Sequence, residues 1–345
     1  MECQLYLDVP NGFATKVAVL NRPSVQYLPE GPWLLLGDAS VRHFWRSLGM
    51  PEPPVCTWVE TCEATKRMET MMAWLDLWAV SGIHRGHTLV VVGGGTMTDM
   101  GGLAAGLYMR GIAWHAWPTS LLAQIDAAIG GKTAVNLESG KNLVGMFYHP
   151  KRVVIADRFL ESLPRRHLES GKWELIKMAL VDGDTDWAES MLGQGSPSPD
   201  YLKRAIRLKI DIINRDFKEN GERRLLNLGH TLGHAYESAS DYGLLHGEAV
   251  GLGLIASCMM SELKGYTSFQ VGFIEKMAQR LAYLLDRVPA WEKCLPYLLR
   301  DKKTVEGGQI RYVFPISGSR PACHKISPDS LEPVHAKLIR MMNPL

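Results

Sequence analysis

No Cys-x-x-Cys pair occurs among the six cysteines, Cys3, Cys56, Cys62, Cys258, Cys294 and Cys323, which lie scattered along the chain. That pattern excludes a thiolate zinc ribbon and argues against a disulfide framework, so a reducing cytoplasm is the expectation. Long apolar runs are also missing. No uncharged stretch approaches the roughly 18 residues of a spanning helix. The opening MECQLYLDVPNG carries Glu2 and Asp8 and lacks the apolar core of a signal peptide. Neither sign of charge dominates: 38 basic against 36 acidic residues leave a formal net charge of +2. Bulk charge therefore offers no nucleic-acid or membrane surface, and any basic residues that matter must be clustered locally. What remains is an ordinary globular composition over 345 residues, enough for two cores.

The first half alternates strand-like and helix-like runs. PWLLLGDAS, HTLVVVGGG, IAWHAWPTS and RVVIADRFL read as buried strands, and TKRMETMMAWLDLWAVSGI has helical periodicity. Continuous apolar strands separated by helices predict a parallel sheet covered on both faces. From about Leu163 the patterns are mostly helical, broken at GQGSPSPD, SDYG and RVPAW, with GGQIRYVFPISG as the one late strand candidate. The expected architecture is an α/β domain over residues 1–162 and a mainly α-helical domain over 163–345, with the site in the cleft they form.

VVVGGGTMTD places three glycines after a strand and before a helix, where a phosphate can approach backbone N–H groups. The match to G-x-G-x-x-G is incomplete, because Thr98 occupies the third position; a glycine turn serves tight packing equally well. A second element, QIDAAIGGKTAVNLESGKN, sets Asp126, Lys132, Lys141 and Asn142 among small residues. Lysines beside glycines favour an anion over a merely solvated basic loop.

The histidines lie in LLNLGHTLGHAYE and LLHGEAVGLG. If the stretch from Arg223 is one helix, Arg223, Asn227, His230 and His234 fall on one face. Gly229 and Gly233 weaken such a helix by about 1 kcal/mol each, which suggests that something packs very close to them. His230 and His234 could chelate one metal as an i, i+4 pair, but Thr231 stands where the zincin motif needs its glutamate. His246 offers another imidazole, and GKWELIKMAL presents Glu174 and Lys177 on one helical face. A glutamate and two imidazoles would leave one coordination position open; spacing does not decide which two histidines bind.

Together these pieces resemble the 3-dehydroquinate synthase family of sugar phosphate cyclases. The resemblance rests on GGGTMTD, YMRG, PTSLLAQIDAAIGGKTAVN, GKNLVGMFYHP, WELIK, LLNLGHTLGHAYE and LLHGEAVGLG, and it covers most of the chain. It implies a Rossmann-like N-terminal domain, an α-helical metal-binding C-terminal domain, a homodimer, NAD, and a divalent metal, zinc with cobalt as an alternative. The implied metal ligands are Glu174, His230 and His246. Implied substrate contacts are Arg110, Asp126, Lys132, Asn142, Lys177, Lys209, Arg223, Asn227, His234, His246, and Lys302 or Lys303. Arg110 would reach the partner's site, and Glu219 would accept a proton, with His230, His234, Lys177 and Asn142 also in the catalytic set. Implied NAD contacts are Asp38, Glu63, Lys66, Gly94, Gly95, Thr96, Asp99, Thr119, Ser120, Lys132, Lys141, Phe159 and Ser162.

The implied substrate is 3-deoxy-D-arabino-heptulosonate 7-phosphate, a small sugar phosphate that is anionic at both ends. The sequence departs from the family at Thr98, where glycine is usual, at GKWELIKMAL, and at Ala39 and Ser40 after Asp38. Other cyclases act on sedoheptulose 7-phosphate or glucose 6-phosphate, and the valiolone-type branch replaces the second histidine of G-H-T-x-G-H. This chain keeps His234, Asn227, Lys209 and Arg223, which favours the carboxylate-bearing substrate. A metal-dependent polyol dehydrogenase of the same architecture would release NADH instead of recycling it. A degenerate ligand-binding homologue would have lost catalytic positions, and none is lost.

Overall fold

The computed structural model describes residues 3–9, 13–138, 140–193, 195, 197–241, 243–300, 304–305 and 308–343. The chain forms two compact units. One takes in residues up to Leu168 together with Lys209–Phe217; the other takes in Glu169–Leu208 and Lys218 onward.

The first unit is built on a seven-stranded sheet. Its strands are β1 (Cys3–Val9), β2 (Phe13–Leu20), β3 (Trp33–Asp38), β4 (Cys56–Val59), β5 (Thr88–Gly93), β6 (Ala113–Pro118) and β9 (Arg152–Ala156), in the order β1-β2-β9-β6-β5-β3-β4. All neighbours are parallel except the edge strand β1, which pairs antiparallel with β2. The apolar runs are buried as their composition predicts: Leu34–Leu36 of β3 and Leu89–Val92 of β5 are wholly inaccessible. Helices α1 (Arg42–Ser47), α2 (Met68–Val80) and α3 (Gly95–Leu107) follow β3, β4 and β5. Trp45 of α1 stacks on Phe159 and meets Trp117 edge to face.

The glycine-rich element after β6 is an antiparallel hairpin of β7 (Lys132–Leu137) and β8 (Gly140–Phe147). Glycine and short polar residues hide its alternation from a sequence reading. Paired β1 and β2 were likewise not predicted.

The second unit is mainly helical. It contains most of α4 (Arg165–Asp182), α5 (Thr185–Ser190), the start of α6 (Pro199–Arg215), α7 (His230–Ala239), α8 (His246–Leu263), α9 (Phe273–Arg280), α10 (Trp291–Arg300) and α11 (Glu332–Met342). A small antiparallel sheet joins β10 (Thr304–Val305), the expected β11 (Gln309–Ile316) and an unpredicted β12 (Ser319–Ile326). Helix α8 is buried from Gly247 to Ser261.

The helix expected from Arg223 is not continuous. A 3-10 turn covers Glu222–Asn227, Gly229 turns left-handed at φ 76°, and α7 begins at His230. Arg223 and Asn227 therefore do not share the histidines' helical face. The break has a packing cause. A β-carbon on Gly229 would meet the Leu254 side chain at 2.8 Å, and one on Gly253 would overlap the Gly229 carbonyl oxygen. A β-carbon on Gly233 would meet the Ala249 carbonyl oxygen at 3.0 Å. Glycines thus let α7 and α8 approach backbone to backbone, as the weak helix formers suggested.

Candidate active site

In the first unit, β5 ends at Gly93, and Gly94 caps the N-terminus of α3. The first-turn amides of a helix have no intrahelical acceptor, so this turn suits a phosphate. A β-carbon on Gly95 would meet Ala127 at 3.3 Å, a tight contact, while one on Gly94 would stand at an ordinary 3.5 Å from Ser120 Oγ. Thr98, which replaces the third glycine of the motif, is buried. Its hydroxyl donates to the Gly95 and Gly94 carbonyls at 3.0 and 3.3 Å. The departure from glycine is therefore satisfied within the turn. Thr119 N–H donates to the Gly93 carbonyl at 2.9 Å, and Ser120 Oγ accepts from Ala123 N–H at 3.3 Å.

A connected polar network runs beside this turn. Lys66, only 3% exposed, donates to Asp99 at 2.5 Å and to the Asn142 side-chain oxygen at 2.7 Å. Burial pushes the Asp99 carboxyl up, against the pull of Lys66. Glu63 faces Lys141 at 3.7 Å and accepts from Thr96 at 3.5 Å. The hub is Asn136: its amide nitrogen donates to Glu63 at 2.8 Å, and its oxygen accepts from Asn142 N–H at 2.9 Å. Asn142 itself sits at φ 53°. Asn136 was missed by the sequence reading, because TAVN gives no sign that its side chain will meet Glu63, 73 residues earlier. Asp38 accepts from Ser40 N–H at 2.9 Å and from Thr61. Phe159 lies in the hydrophobic core beside Trp45, and its carbonyl accepts from Ser162 at 2.9 Å. Lys132 opens β7 with its side chain exposed.

Asp126 sits in a π-helical turn, Ala123–Ala127. Gln124 braces that turn by donating to the Pro118 and Ala156 carbonyls at 3.2 and 3.0 Å. Lys209, 5% exposed, donates to the Asp126 carbonyl at 2.5 Å and also meets its carboxylate. Arg110 is exposed in a turn where Met109, Arg110 and Gly111 all have positive φ.

In the second unit, Glu174 is fully buried on α4, with Lys177 Nζ 2.5 Å from Oε2. Its other oxygen lies 3.5 Å from His230 Nε2 and 3.5 Å from His246 Nε2. Ligands bound tetrahedrally at about 2.1 Å from one metal stand roughly 3.4 Å apart, so these atoms have the spacing of a shared cation. The opposite ring nitrogens are engaged. His230 Nδ1 meets the Leu228 carbonyl at 3.0 Å, and His246 Nδ1 meets Glu237 at 3.1 Å. Such contacts fix the rings and turn each Nε2 toward the Glu174 carboxylate. Burial by itself would lower the His246 pKa, but Glu237 and Glu174 outweigh it and hold it up at about 10. A cation there would displace that proton. Glu237, too, was not singled out from the sequence. His234 joins His230 and His246 in a set of imidazoles whose ligand atoms lie within 4.8 Å of one another. The donor set therefore fits a divalent metal, with two histidines and a third position that Glu174 or His234 could fill.

Arg223 is buried in the 3-10 turn, and Asn227 donates to Glu219 at 2.5 Å, with Glu219 at φ 62°. Lys302 and Lys303 lie outside the described residues.

The fold matches solved sugar phosphate cyclases. A 2-deoxy-scyllo-inosose synthase complexed with carbaglucose-6-phosphate, NAD+ and Co2+ superposes with TM-score 0.84 at 24% identity, over 98% of this chain and 99% of that one. The 2-epi-5-epi-valiolone synthase of Streptomyces hygroscopicus subsp. jinggangensis, with NAD+ and Zn2+ bound, gives 0.80 at 25% identity, over 96% and 98%. This is the sugar phosphate cyclase class of fold.

Within that class the sequence is more particular. Residues 56–170 match the N-terminal and residues 171–304 the C-terminal family model of 3-dehydroquinate synthase. The 3-dehydroquinate synthase of Latilactobacillus sakei is 39% identical over 259 residues, 73% of this chain and 72% of the relative. That of Thermosynechococcus vestitus is 36% identical over 321 residues, 86% of each. The chain belongs to the 3-dehydroquinate synthase family.

Proposed function

We propose that this chain is a homodimeric, cytoplasmic 3-dehydroquinate synthase. It converts 3-deoxy-D-arabino-heptulosonate 7-phosphate to 3-dehydroquinate and phosphate, using NAD and a divalent metal, zinc or cobalt. The observation that carries the reading is the buried Glu174 carboxylate facing two imidazoles whose far nitrogens are already engaged. When bound, NAD exchanges a hydride at substrate C5 and the metal polarises the oxygen there.

The protein's own residues do the rest. The amides after Gly94 take the dinucleotide phosphates, and the network of Glu63, Lys66, Asp99, Asn136 and Lys141 holds the lining of that turn in one arrangement. Glu174, His230 and His246 hold the metal. Lys132, Lys177, Lys209 and Arg223 neutralise the substrate's phosphate and carboxylate, with Arg223 offering a paired-donor fork that lysine lacks. Asp126, Asn142 and Asn227 orient hydroxyls. Glu219, fixed by Asn227, accepts a proton, and His234 relays one at its exposed ring. Arg110 serves the partner's substrate. Retention of His234 and Arg223 favours this substrate over the uncarboxylated sugar phosphates.

The test compares two variants. His230→Ala should abolish stoichiometric zinc binding, measured by metal analysis after dialysis. His234→Ala should retain zinc and lose turnover by about a hundredfold or more. Equal loss of zinc from both would make His234 a ligand and overturn the assignment.

A further inference from the structure

A polar pocket lies at the end of the parallel sheet opposite the nucleotide turn. We propose that this pocket, at the amino ends of β5, β6 and β9, binds a small organic monocarboxylate. It has a volume of about 210 Å³, and Leu28, Pro29, Glu30, Thr88, His115 and Arg152 line it. Thr88 opens β5 and Arg152 opens β9, where it pairs in register with His115 of β6. The nucleotide turn follows the opposite end of β5, about 17 Å away along a six-residue strand. A ligand here would not compete with NAD.

The polar groups are built in and underused. His115 is 7% exposed, yet its Nδ1 has no hydrogen-bond partner among the described residues. A buried polar atom left this way costs about 1–3 kcal/mol. Arg152 donates one bond to the Tyr27 carbonyl at 3.2 Å and lies 5.4 Å from the Tyr27 ring centroid. Among the described residues no carboxylate pairs with it. Its remaining N–H donors form the fork that matches a carboxylate. Burial, with Arg152 and Lys151 close by, pushes the His115 pKa down to about 3, so the ring is neutral and offers an N–H without a second charge. Glu30 in the same lining repels further negative charge, which selects a monoanion over a phosphate dianion. Leu28 and Pro29 give a short alkyl chain an apolar wall. None of these residues has a part in the proposed reaction.

The experiment titrates pyruvate into the full-length protein saturated with NAD and Zn2+. It follows the histidine ring resonances by NMR, with His115 assigned from its loss in His115→Asn. The expected result is a saturable shift of His115. Arg152→Ala should weaken it by roughly tenfold or more, and Arg152→Lys should restore only part. Inorganic phosphate at the same concentration should shift it less, and Glu30→Gln should erase that preference, which provides a test if Arg152→Ala fails to fold. No saturable His115 shift overturns the proposal. So does a shift that Arg152→Ala leaves unchanged.

Discussion

Glu174 and Lys177 stand one helical turn apart on α4, both buried. Their spacing, and that of His230 and His234 on α7, was legible because helical periodicity alone puts such residues on one face. Glu237 and Asn136 were not legible, since each earns its place through a partner that only the fold supplies. His115 belongs to the same class: it reads as one more residue of an apolar strand, yet its burial has a consequence for stability. Its folded pKa of about 3 lies below the ordinary 6.5, so the unfolded chain takes up the proton first. The stability this group contributes is complete above pH 6.5 and is lost as pH falls toward 3, by at most about 1.4 kcal/mol per pH unit. His115→Asn should therefore show a shallower fall of urea midpoint from pH 7 to pH 5 than the parent protein. Equal slopes would mean that His115 is not neutral in the fold.

At the scale of elements, the buried strands β3, β5, β6 and β9 were readable because burial on both faces demands unbroken apolar runs. The helix from Arg223 was misjudged at Gly229, where contact with α8 overrides a locally helical pattern. The same contact makes a prediction. Gly253→Ala should destabilise the protein by about 3 kcal/mol, because the new methyl overlaps the Gly229 carbonyl and neither helix backbone can yield cheaply. Gly31→Ala, with nothing within 4 Å of the added methyl, should change stability by less than about 0.5 kcal/mol. Denaturant unfolding of the two variants decides it; a Gly253→Ala protein as stable as Gly31→Ala would remove the packing account. The hairpin β7–β8 escaped because Gly140 and Gly145 in β8 and the short polar residues of β7 blur the alternation by which a strand is read.

At the scale of the whole molecule, one unit carries the nucleotide turn and the other the histidine cluster. No helix among the described residues is long and apolar enough to cross a membrane. The central claim is that oxidation at C5 is transient, so that the cofactor returns to NAD within each turnover. The measurement is to give the zinc-loaded protein 3-deoxy-D-arabino-heptulosonate 7-phosphate with NAD at a concentration well below that of the substrate, and to follow phosphate release together with absorbance of NADH. The account predicts many phosphates released per NAD, matching formation of 3-dehydroquinate, with no net NADH. One NADH accumulating per substrate consumed, without phosphate, would make the protein a dehydrogenase and contradict it.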